Sequence, residues 1–420
     1  QINYLRQAFG GSADDSLIDT SPSPVEACST KLSVPNETLI QHALGICSRL
    51  KRRAVCDAAG NITWNHIRPQ PSGGLKVGPL GNGLYFGRLG PVLACAAFQQ
   101  IRPTSSMGDF VSSLIESVCT ISIQSHQTHQ LGLGISHGVG GILYGLSKLG
   151  ELTNNERCYE TALQITKDID EEFIKADSKF DVLSGSAGLL FGLLALYNQT
   201  GSKRPKTVAQ IVGNHLVESV DRQDGIPVWK SETTDKALTG FGHGIAGISY
   251  ALSKLANELN EPKYERVALR ALQFEQRHFD SDKQNWRDLR SNSQSEYVDA
   301  WCHGRSGIGL SRIGIDQNAE LSEVCDDIKA AIDGYELSSQ PVNEHLCCGS
   351  FSQASFLREA GHYLDNQSLI RTGRGIVGDA VAEKQRGDRF QVKWQYCSNY
   401  NPSFFHGESG IAYALLKFCN

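Results

Sequence analysis

Long apolar runs are missing from this chain of 420 residues. None approaches the roughly 20 consecutive apolar residues that a membrane-crossing helix needs, so no span is expected. No charged segment followed by an apolar one opens the sequence, and nothing there reads as a secretion signal. Methionine is nearly absent: Met107 is the only one, and the chain opens on Gln1. A mature chain or a piece of a longer polypeptide is therefore expected. Basic clusters are scarce too. Lys51, Arg52 and Arg53 form one tight run without interleaved aromatics, which predicts a solvated helix face rather than nucleic acid binding. The twelve cysteines include no C-x-x-C pair and are too sparse for a disulfide scaffold. Cys95 and Cys119 lie in apolar periodic stretches and read as small core residues.

Glycine, by contrast, is abundant, with 42 residues. It recurs in one phrase: a small or polar residue, Gly, two residues, Gly or a substitute, then an apolar run. The copies begin at Gly87, Gly138, Gly185, Gly244, Gly304, Gly349 and Gly407. A period near 50 residues signals a repeat architecture. After Gly247 the apolar residues Ile248, Tyr250, Ala251, Leu252 and Leu255 follow a helical period. Between copies lie polar-faced helix formers, as in 207–218 and 263–278. Two helices per repeat predict an all-α fold of about fourteen helices. The last copy runs almost to Asn420, which favours a closed ring over a capped solenoid. The expected architecture is an α/α toroid of seven inner and seven outer helices. Residues 60–420 would form it; 1–59 would add an N-terminal extension or linker remnant plus an outer helix. Gly10 to Pro24 reads as surface loop or linker, 36–53 as a helix, and Asp57 to Gly81 as irregular.

In a closed ring the residues before the motif glycines would line one cavity. They are Phe86, His137, Ser184, His243, His303, Cys348 and His406. A buried core histidine is the ordinary reading of any one of these imidazoles; four at one repeat position argue for a shared polar cavity. Cys302 lies two residues before Gly304, and the Cys347-Cys348 pair directly precedes Gly349. If those repeats are neighbours, three sulfurs converge. Zinc takes thiolate ligands in tetrahedral sets, and three protein ligands leave a position for water or substrate. Three buried cysteines in a tight glycine-rich core remain the other reading. His303 is sterically awkward as a fourth ligand beside Cys302 and suits proton transfer, as does His243. Asp181 would orient a histidine, bind a peptide, or simply cap a helix.

These phrases resemble the lanthionine synthetase C family. The marks are FDVLSGSAGL from Phe180, GFGHGIAGISYAL from Gly240, AWCHGRSGIGLSR from Ala300, LCCGS from Leu346 and NPSFFHGESGIAYALL from Asn401. More narrowly, the chain is similar to the C-terminal cyclase domain of the bifunctional class II lanthipeptide synthetases of bacteria. The resemblance implies a helical toroid with one Zn2+ per chain, held by Cys302, Cys347 and Cys348. It implies that His243 and Asp181 match family site residues, with His303 where stand-alone cyclases carry tyrosine. His137, His406 and Ser184 would line the cavity. The implied reaction adds peptide cysteine thiolates to dehydroalanine or dehydrobutyrine, forming lanthionine or methyllanthionine rings, with His243 or His303 protonating the enolate. The implied partners are a dehydrated precursor peptide and a covalently linked N-terminal dehydratase domain, in the cytoplasm. Three departures stand out. Val298 occupies the position of a family arginine, Phe86 that of an aspartate, and Ser352 that of the sixth copy's second glycine. Two rivals belong to other classes: a non-catalytic peptide-binding helical repeat, and a carbohydrate-processing toroid, which would use paired carboxylates. No acidic pair occupies the motif loops, and three cysteines at the cavity suit neither rival.

Overall fold

A computed structural model describes residues 34–69, 75–124, 131–230, 235–290, 295–316, 321–337, 341, 343–382, 384, 388–392 and 400–419. The expected Gly10–Pro24 loop lies outside the described residues. Seven helices start at or just after the motif glycines: α2 (Leu89–Ile101), α4 (Val139–Thr153), α7 (Ser186–Thr200), α9 (Ile245–Leu259), α11 (Arg305–Ile315), α13 (Ser350–Tyr363) and α15 (Glu408–Lys417). Seven more alternate with them: α1 (Asn36–Arg53), α3 (Ser105–Gln124), α5 (Glu156–Thr166), α8 (Lys203–Glu218), α10 (Pro262–Gln276), α12 (Ser322–Asp333) and α14 (Gln367–Ala382). A short helix, α6 (Glu171–Lys175), is additional.

The two sets differ as their sequences require. In α9 every residue from Ile245 to Ala256 is buried, because the helix is covered on all sides. In α10 burial is periodic: Tyr264, Ala268, Ala271, Leu272, Phe274 and Glu275 are buried while the other positions are half-buried or exposed. Pro262 starts α10 where its missing N–H costs nothing. Asn154, Gly201 and Asn260 end α4, α7 and α9 in the left-handed conformation.

Each inner helix packs on the next, and α15 packs on α2, so the ring closes. Among the described residues the helices form the expected toroid, with seven inner and seven outer helices. Closure uses both ends of the described chain, since α1 packs on α15 and α2. There Arg49 Nε meets Glu408 Oε2 at 2.8 Å, with both side chains buried. The 57–81 segment, read as irregular, holds strands: Ile62–Thr63 pairs with Val55–Cys56, and Asn65–Pro69 with Leu75–Pro79, both antiparallel. Among the described residues no helix is long and apolar enough to cross a membrane.

Candidate active site and metal centre

The seven motif loops are stitched into a belt by main-chain hydrogen bonds. Tyr85 N–H donates to Ser136 O, Ser136 N–H to Leu183 O, Leu183 N–H to Gly242 O, and Gly242 N–H to Cys302 O. The belt continues from Trp301 N–H to Cys347 O and from Cys347 N–H to Phe405 O, and Phe404 N–H returns to Tyr85 O, all between 2.7 and 3.3 Å. Loop glycines make this closeness possible. A Cβ on Gly307 would lie 1.9 Å from Trp301 O, and one on Gly304, at φ +85°, would lie 1.5 Å from Val298 O. No side chain fits at those distances. Beneath the belt Trp301 and Phe405 pack at 4.5 Å between ring centroids, and Tyr85 stacks on Phe405 at 4.5 Å. Trp301 and Phe405 also line an apolar cavity together with Leu84, Phe241 and Phe404.

Consecutive belt positions put the three predicted cysteines on neighbouring loops, with Trp301 N–H donating to Cys347 O at 2.7 Å. The Cys347 thiol is buried; burial first, then the neighbouring Cys302 and Cys348 sulfurs, hold its pKa well up. Cys348 is the exposed member. Its thiol is shifted down by the hydrogen bond from Cys347, against burial, with help from the Arg290 guanidinium. Tyr85 Oη donates to Cys347 Sγ at 2.7 Å. Among the described residues, the donor set whose ligand atoms all lie within 4.8 Å of one another is His345, Cys348 and His406; it shares only Cys348 with the predicted trio. Burial lowers His345 to about 4 and His406 to about 3, the latter helped by His345, so both imidazoles are neutral.

The neighbouring loop carries an imidazole–carboxylate pair. His243 Nδ1 lies 2.8 Å from Oδ2 of Asp181, which is buried. Burial works against the charged imidazole, but the hydrogen bond and charge of Asp181, with the Cys302 sulfur, outweigh it and raise the His243 pKa. Asp181 also accepts the Ser184 N–H at 2.6 Å, so its orienting and local capping roles coexist. His303 stacks on His243 at 5.9 Å and points Nδ1 at Thr239 O at 3.4 Å. Burial, then the charges of Arg290 and His243, push it down to about 3. Farther round the rim, exposed His137 and buried His406 both stack on Phe86, at 5.4 and 5.5 Å. Ser184 is half-buried beside Asp181.

Four site residues escaped sequence reasoning. Tyr85 sits one place before a position that was singled out, and His345 two before the cysteine pair. Asp288 and Arg290 belong to no repeat phrase. Arg290 Nη2 meets Asp288 Oδ2 at 2.6 Å, and its charge acts on Cys348, His243 and His303. Arg290 in turn has its pKa raised, against burial, first by Asp288 and then by the Cys302 and Cys347 sulfurs. No pattern in one sequence marks it, because the residues around Arg290 follow neither a helical nor a strand period.

A family model described as lanthionine synthetase C-like protein matches residues 78–420. No curated protein matches the sequence. Among solved structures, a nisin cyclase superposes with a TM-score of 0.63 at 16% identity, over 80% of this chain and 88% of that one. The Lin0763 protein from Listeria innocua gives 0.50 at 13% identity, over 90% and 96%. An unsaturated glucuronyl hydrolase from Bacillus sp. GL1 gives 0.47 at 14% identity, over 81% and 97%. At these identities the likeness is one of fold.

Proposed function

We propose, for a chain that belongs to the lanthionine synthetase C-like family, a peptide cyclase activity that forms lanthionine and methyllanthionine thioethers in a dehydrated precursor peptide. One observation carries this reading. Loops bearing three cysteines lie next to loops bearing an imidazole–carboxylate pair, joined by the 2.8 Å hydrogen bond from Gly242 N–H to Cys302 O. The chemistry of ring closure needs both: a soft centre that holds a peptide thiolate, and a proton donor beside it.

We assign one Zn2+ per chain to Cys302, Cys347 and Cys348, because zinc favours sulfur ligands and the three cysteines stand on neighbouring loops joined by the Trp301 N–H to Cys347 O hydrogen bond. When bound, zinc supplies the activation that favours the thiolate of the peptide cysteine at neutral pH. The rest falls to side chains. As sulfur adds to the β-carbon, the electron pair moves onto the α-carbon and carbonyl, and a proton must arrive there. His243 delivers it; Asp181 holds the imidazole in place and favours its charged form. His303 supports His243 by stacking. Arg290 offsets negative charge gathered at the sulfurs. Phe86 and His137 form an aromatic wall for the peptide. A preceding dehydratase domain, of the class II type, would supply the dehydrated peptide, and a reducing cytoplasm would keep the thiols free. The carbohydrate reading lacks its chemistry here, since Asp181 and Asp288 are committed to His243 and Arg290.

The test pairs Cys347→Ala with His243→Asn. Zinc is measured by elemental analysis under reducing conditions. Ring closure on a pre-dehydrated peptide is read by thiol alkylation, since cyclisation leaves the mass unchanged, with background addition subtracted. Cys347→Ala should lose zinc and ring closure together. His243→Asn should keep zinc and close rings about 10²–10⁴-fold more slowly, the usual worth of positioned proton transfer. Metal-free active enzyme, or wild-type rates from His243→Asn, would refute the assignment.

A further inference from the structure

The proposed chemistry creates a hazard. The electrophile must come within reach of the peptide thiolate, and the protein's own sulfurs lie in the same place. Cys347 is shielded by burial, but Cys348 is exposed at the rim. Its sulfur has the same reaction open to it: a bond from Sγ to the β-carbon, the alkene pair passing to the α-carbon, and a proton taken up from water. Nothing leaves, so the product is a permanent adduct carrying the whole peptide.

His345 is built against that sulfur. It is only 1% exposed, and its ring packs on His406 at 4.7 Å. The Cys348 N–H donates to His345 Nδ1 at 3.4 Å. An imidazole that accepts at Nδ1 carries its proton on Nε2. Nε2 lies 4.0 Å from Cys348 Sγ, so the ring N–H faces the sulfur. The adjacent thiol has a donor of its own in Tyr85 Oη, 2.7 Å from Cys347 Sγ. Each member of the Cys347-Cys348 pair thus has a dedicated hydrogen-bond donor from a different side. A hydrogen bond to sulfur ties up the lone pair that would attack.

We infer that His345 is a positioning residue whose Nε2–H restrains Cys348 and protects the site from alkylation by its own dehydrated substrate. The inference rests on the cyclase reading for its electrophile. It assigns His345 a donor role rather than a ligand role, although His345, Cys348 and His406 are close enough to look like a metal group.

The experiment uses the full chain, zinc-loaded and metal-free, with N-acetyldehydroalanine methyl ester as the probe. Adduct at Cys348 is followed by peptide mass mapping, and bound zinc by elemental analysis. His345→Phe keeps the ring's bulk and removes the donor; His345→Gln keeps an N–H. The phenylalanine variant should hold zinc and form the Cys348 adduct about tenfold faster, the factor expected for one hydrogen bond to a charged group. The glutamine variant should move back toward the wild-type rate, which a merely structural role would not produce. An unchanged adduct rate in His345→Phe overturns the inference. So does loss of zinc from both variants, which would make His345 a ligand. If the wild-type chain binds no zinc, the metal reading fails by itself, and the comparison of metal-free thiols still decides the role of His345.

Discussion

Changing Asp181 to Asn tests the proton-handling half of the site with little disturbance of shape. The amide is nearly isosteric, and its oxygen can still accept the Ser184 N–H that Asp181 accepts at 2.6 Å. What disappears is the negative charge 2.8 Å from His243 Nδ1. A hydrogen bond to a charged partner is worth about 1.5–3 kcal/mol when buried. The His243 side chain is 35% exposed, so water screens the pair and the lower end applies, about 1.5 kcal/mol. That corresponds to about a tenfold loss of protonated imidazole near neutral pH. With the charge gone, burial acts on His243 almost unopposed, leaving the Cys302 sulfur as the remaining favourable influence. Asp181→Asn should therefore close rings about tenfold more slowly near pH 7, while zinc content stays near wild type and unfolding free energy falls by no more than about 1.5 kcal/mol. The rate should recover as pH is lowered, because acid restores the charged imidazole. The assay is ring closure across pH by thiol alkylation, with NMR titration of the His243 imidazole alongside. A rate that falls equally at every pH would refute the reasoning, since it would mean that Asp181 shapes the loop rather than charging His243.

Three further outcomes follow from the same geometry. Because the His243 pKa is raised, its pairing with Asp181 stabilises the fold fully below the ordinary histidine value of about 6.5 and is lost as pH rises through the raised value; denaturant titrations should show that alkaline loss in wild type and not in Asp181→Asn. Gly307→Ala places a Cβ 1.9 Å from Trp301 O, and the belt can relieve the clash only by shifting the loop that bears Cys302; a loss of about 3 kcal/mol in urea unfolding is expected, and a stability equal to wild type would contradict the close approach. Glu408→Ala leaves Arg49 buried without its carboxylate, so a loss of about 3–5 kcal/mol is expected; an unaltered unfolding midpoint would show that the α1–α15 junction does not hold the ring shut.

The sequence by itself determined the features that repeat along the chain. The glycine phrase recurs because each copy makes the same loop-to-helix turn, so Gly87 through Gly407 announced seven units and 36–53 announced a helix. Asp181, His243, Cys302, Cys347 and Cys348 could be named because each sits at a set distance from a motif glycine. Only the tertiary structure decided which of these meet. Closure depends on α1 packing on α15, a contact between residues more than 350 positions apart, as in the pairing of Arg49 with Glu408. Asp288 and Arg290 reach the site from an aperiodic loop, and Tyr85 reaches Cys347 across 262 residues. Nor could the sequence separate the histidines. His243 and His303 occupy equivalent repeat positions, yet one has a buried carboxylate at 2.8 Å while the other faces the Thr239 carbonyl. Their opposite shifts come from burial and neighbouring charge, and both are properties of position in space rather than of place in the repeat.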